Sequence, residues 1–77
     1  MIKVKSNEYL KDMGFVPKNN KGDYVFYGVG DDDTKRKLFT VYAGSPYIRY
    51  STTSYVMEVQ LKCVYDWAKK DYIEWED

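Results

Sequence analysis

Tyr9, Leu10 and Met13 fall on one face of a helical turn, and Gly14 follows where a left-handed residue can end a helix. Ser6 stands ahead of them as a cap, with Glu8 in the first turn at the positive end of the helix dipole. Phe15 takes the place from which a Schellman motif returns an apolar contact to Leu10, and Pro17 forbids continuation. A helix this short is marginal alone and must be held by docking its apolar face. After the polar stretch 19–22 the pattern changes to alternation. Residues 24–29 read as a first strand and residues 37–43 as a second, with Phe39 and Val41 on one face and Leu38, Thr40 and Tyr42 on the other. Beyond the Gly44-Ser45-Pro46 connection, residues 47–53 read as a third strand, with Ile48 and Tyr50 opposed to Tyr47, Arg49 and Ser51.

From about Ser54, which reads as the cap, the period becomes helical. Met57, Leu61, Val64 and Ala68 recur at spacings of four, three and four, and Trp75 falls on the same line. Glu58, Lys62, Asp66 and Lys70 follow one another at intervals of four and mark the wet side. Residues 55–59 also have strong β propensity, so a fourth strand before a shorter helix is the alternative. The expected fold is α+β, in one domain spanning residues 1–77. It has a short N-terminal helix, a three-stranded antiparallel sheet and a longer C-terminal helix packed on one sheet face through Phe39, Val41, Ile48 and Tyr50.

A chain of 77 residues buries only about 60% of the surface its unfolded form exposes, so each large apolar side chain counts. Nine Tyr, three Phe and two Trp supply that area. The excess of Tyr places many rings at the edge of the core, where the hydroxyl can reach water. Twelve basic and twelve acidic side chains cancel, which argues against an indiscriminate nucleic-acid binder. Cys63 is the single cysteine, which excludes an intrachain disulfide and points to a reducing compartment, the cytoplasm. Residues 1–5 lack the apolar run of a signal peptide, and no stretch approaches the length of a membrane span.

The absence of His removes the usual general base, the usual partner of a nucleophilic Ser or Cys, and the commonest transition-metal ligand. Cys63, among Val59, Val64 and Trp67, reads as a small buried hydrophobe. Asp31, Asp32 and Asp33 lack the spacing and closing Glu of a calcium loop, and the Gly28-Val29-Gly30 triplet opens no helix that could hold phosphate. Asp23, Glu58 and Asp66 can meet in space as an acid–base set without any local signature. No enzyme activity, cofactor or metal is expected. The informative surface is the sheet face opposite the helices, which displays Leu38, Thr40, Tyr42, Tyr47, Arg49 and Ser51. Tyr and Arg are enriched at protein interfaces, and single-strand binders likewise stack bases on exposed rings beside Arg.

The opening SNEYLKDMGFVPK, the short strands and the closing LKCVYDWAKKDYIEW resemble the layout of small accessory proteins of phages and prophages of Gram-positive bacteria. That group includes anti-CRISPR inhibitors. The resemblance implies a non-enzymatic binding module that occupies a surface on a host or phage protein, such as a defence nuclease. The candidate contacts are Tyr42, Tyr47 and Arg49 on the sheet and two acidic clusters, Asp31, Asp32 and Asp33 with Glu74 and Glu76. A single-stranded nucleic-acid-binding domain using the aromatic face is the second expectation.

Overall fold

A computed structural model describes residues 1–29, 33–51 and 57–77, with the side chain of Met57 outside the description. The elements are β1 (Ile2–Val4), α1 (Tyr9–Met13), β2 (Val16–Pro17), β3 (Tyr24–Val29), β4 (Lys35–Val41), β5 (Tyr47–Tyr50), α2 (Met57–Lys69) and β6 (Ile73–Trp75). The sheet is antiparallel and six-stranded in the order β2-β3-β4-β5-β1-β6, not three-stranded. Three strands escape a periodicity argument because they are two or three residues long, too short to display a period of two. Among the described residues no helix is long and apolar enough to cross a membrane. The expected Ser54 cap and the alternative strand start at Tyr55 lie outside the described residues.

The first helix ends as its sequence dictates. Gly14 adopts φ 104°. Its N–H bonds to the Lys11 carbonyl at 3.1 Å, and the Phe15 N–H reaches back to Leu10 at 2.9 Å, the paired bonds of a Schellman motif. The start of this helix differs from expectation: Glu8, not Ser6, stands at the cap position without a side-chain cap bond, and the Ser6 hydroxyl only accepts from the Glu8 N–H at 3.3 Å. The second helix ends by the same device without a glycine. Asp71 takes φ 65°, its N–H bonds to Ala68 at 3.1 Å, and the Tyr72 N–H bonds to Trp67 at 3.0 Å. The chain then turns into β6, so Trp75 lies on a strand and not on the line of the helix.

The helix-side face of the sheet carries the core: Ile2 and Val4, Ile48, Phe39 and Val41, and Ile73, with Leu10, Met13, Phe15 and Trp67 packed over them. The register of α2 differs from the apolar repeat. Leu61 is 58% exposed and Trp67 3%, Ala68 is exposed, and the inward line runs through Gln60, Cys63, Val64 and Trp67. Trp67 decides this. Its ring meets those of Phe39, Phe26 and Phe15 at 5.0, 5.3 and 5.6 Å, and its N–H bonds to the Met13 carbonyl at 3.3 Å. An indole buries more area than either Leu61 or Ala68 can offer, so the helix turns to seat it. Gln60 follows it inward and donates to the Leu38 carbonyl at 2.8 Å and the Ser51 carbonyl at 3.1 Å, which a buried amide requires.

Strand β4 breaks its own alternation. Phe26 faces Phe39 while Tyr27 faces Lys37, so Leu38 is an extra residue in a β-bulge. Leu38 and Phe39 are both fully buried. A Cβ at Gly28 would lie 2.3 Å from the Leu38 side chain, so only glycine leaves room for the bulged residue.

Candidate functional site: the open face of the sheet

The bulge decides what the face away from the helices displays. Without it, Lys35 and Lys37 would share a side with Phe39 and Val41. With it, cross-strand pairing puts Lys37 beside Tyr27 and Lys35 beside Val29, on the same side as the Val25–Thr40–Arg49 row. Leu38 therefore leaves the open face to which alternation assigned it. Thr40 stays on that face but is buried there, as is Val25, and the two form its floor.

Around that floor stand two half-exposed rings, each with a cation. Lys35 Nζ lies 4.6 Å from the centre of the Tyr27 ring, and the Arg49 guanidinium lies 5.6 Å from the centre of the Tyr42 ring. The rings are 40% and 45% exposed, and Lys35, Lys37 and Arg49 are all exposed. The segments of β3, β4 and β5 contain no Asp or Glu, so the charged side chains these three strands contribute to the face are all basic.

The β1–β6 end is different. Lys3 pairs with Tyr47 on one side and Glu74 on the other, and its ammonium lies 3.8 Å from Glu74 and 3.7 Å from Glu76. The Tyr47 hydroxyl donates to Glu76 at 2.6 Å, a bond that, with the carboxylate's charge, pushes the phenol above its ordinary value. Tyr47 is thus held within the fold, unlike Tyr42.

Of the residues the sequence nominates, Tyr42, Tyr47, Arg49, Glu74 and Glu76 share one face. Asp33 is in the turn before β4, two residues from Lys35 and exposed at φ 60°, and Asp31 and Asp32 lie outside the described residues. Tyr27, Lys35 and Lys37 were missed. Alternation along β4 puts Lys35 and Lys37 on the wrong side, because the extra residue Leu38 lies between them and Phe39, and Tyr27 gains its neighbours only through that pairing.

The candidate acid–base set does not assemble. Asp23 accepts from the Ala43 N–H at 2.8 Å and from the Asn19 amide at 2.9 Å, while Glu58 pairs with Lys62 and Asp66 with Lys70 along α2. Among the described residues no group of three His, Cys, Asp or Glu side chains is placed to hold a metal. Cys63 packs against the core, and burial pushes its thiol up, away from the thiolate a nucleophile needs. Comparison with protein-family models, curated proteins and solved structures finds no match to this chain.

Proposed function

We propose that this chain is a small, non-enzymatic binding module whose contact surface is the open face of the sheet at β3, β4 and β5. The observation that carries the proposal is the pairing of two half-exposed rings with two cations over a filled floor. Tyr and Arg combine large contact area with a polar end, which suits them to recognition surfaces. The strands hold Tyr27, Lys35 and Arg49 at fixed spacing, with Tyr42 one residue past the end of β4, so little order has to be gained on binding.

An inhibitor that imitates phosphate with carboxylates draws less from this geometry, because Lys3 lies between Glu74 and Glu76 and offsets part of their charge. A photoreactive phenylalanine analogue at position 42 tests the module, with the same analogue at position 65 on the outer side of α2 as control. The expected result is a discrete adduct from bacterial lysate at position 42 that Arg49→Glu abolishes, and none at position 65. Equal labelling at both positions, or none at either, would refute the assignment.

A further inference from the structure

The open face that serves as contact surface in the reading above has a charge pattern that selects its ligand. We infer that it binds single-stranded nucleic acid, with bases stacked on Tyr27 and Tyr42 and phosphates drawn to Lys35, Lys37 and Arg49. The inference rests on the open face being the contact surface. Three exposed cations stand among strands without a single carboxylate, which complements a polyanion. A protein partner would instead seek an apolar pocket for an anchoring side chain, and the floor at Val25 and Thr40 is already closed.

The rings are available despite their cations. Lys35 over Tyr27 and Arg49 over Tyr42 are exposed cation–π contacts, which solvent keeps weaker than the stacking of a base. A base stacked on an aromatic ring adds more than that. A base therefore displaces the ammonium, which is then free to meet the adjoining phosphate, while the planar guanidinium can remain as a second stacking partner. Stacking requires bases that are not already paired and stacked, so a single strand fits and a duplex does not. Glu74 and Glu76 at the far end of the face repel phosphate and limit the site to a few nucleotides.

Fluorescence anisotropy of the full chain with labelled 12-nucleotide strands of mixed sequence, DNA and RNA in separate arms, and with the matching DNA duplex, tests this. The expected result is saturable single-strand binding at low salt, with log K falling by roughly 2 per decade of salt for three neutralised phosphates. Tyr42→Ala and Tyr27→Ala should each weaken it by about 5- to 150-fold, while Lys62→Gln on the outer side of α2 should change nothing. Stronger binding in the RNA arm would identify contacts to the 2′-hydroxyl, and equal binding would identify a site that reads only base and phosphate; both support the inference. It is overturned if duplex binds as well as single strand, if the ring variants bind like the parent, or if no strand binds. With no strand bound, a surviving adduct at position 42 removes only the ligand class, whereas loss of the adduct as well removes the module.

Discussion

A Cβ on residue 14 would lie 2.8 Å from the Phe26 ring, at a backbone φ of 104°. Neither the clash nor the strain can be relieved without moving a ring that packs on Trp67 and Phe39. Gly14→Ala should therefore lower stability by about 1–3 kcal/mol, visible as a lower urea midpoint with an unchanged slope. Asp23 makes a second prediction at this scale. The Ala43 N–H, and then the Asn19 amide, hold its carboxyl below the usual carboxylate range, so the fold favours the ionised form. That stabilisation is complete above the unfolded value of about 3.9 and is lost as pH falls through the lower folded value. In acid titrations followed by circular dichroism, the parent should lose stability below about pH 4 more steeply than Asp23→Ala. A parallel dependence in the two proteins would contradict this.

For the elements, α2 gives the sharpest contrast. Its helical character and wet face were readable from the charge spacing, whereas its end before β6 and its buried side were not, since a scan for apolar residues carries the line on to Trp75, passes over a buried Gln60 and weighs Leu61 as heavily as Trp67. Trp67→Ala should cost about 3–5 kcal/mol, comparable with the whole stability of a small domain, about 5 kcal/mol. Leu61→Ala should stay within about 0.5 kcal/mol. Thermal or chemical unfolding of both variants decides between the two registers, because the apolar repeat predicts the larger loss at Leu61. Strand β4 gives the same lesson. Its existence follows from β-branched and aromatic content, but the side on which Lys35 and Lys37 emerge depends on the bulge at Leu38.

Across the whole molecule, the order β2-β3-β4-β5-β1-β6 makes the first residues of the chain an interior strand. Ile2 and Val4 are buried, and β1 joins β5 on one side to β6 on the other. The amino group of Met1 donates to the Glu76 carbonyl at 2.6 Å, and the Glu76 N–H returns to Met1 at 2.8 Å. Removing residues 1–4 would leave β6 without a partner strand and expose Ile48 and Ile73. The truncated chain should lose cooperative unfolding by circular dichroism and protection of its core amides from exchange. A truncated chain that still unfolds cooperatively would show β1 to be dispensable.

Local signals sufficed for whatever is governed by neighbours in the chain. The end of α1 at Gly14 and Phe15, the span of β3, the helical character of α2, the absence of imidazole chemistry and the presence of Tyr42, Tyr47 and Arg49 on one face all follow from residues within a few positions of one another. Tertiary structure alone decided the pairing of β1 between β5 and β6, the rotation of α2 onto Trp67 and the emergence of Lys35 and Lys37 beside Tyr27. Each of these is a contest between long-range contacts: burial of an indole against burial of a leucine, or one inserted residue against an unbroken alternation. Such contests are settled by what lies across the sheet, and no window along the chain contains the partners that decide them.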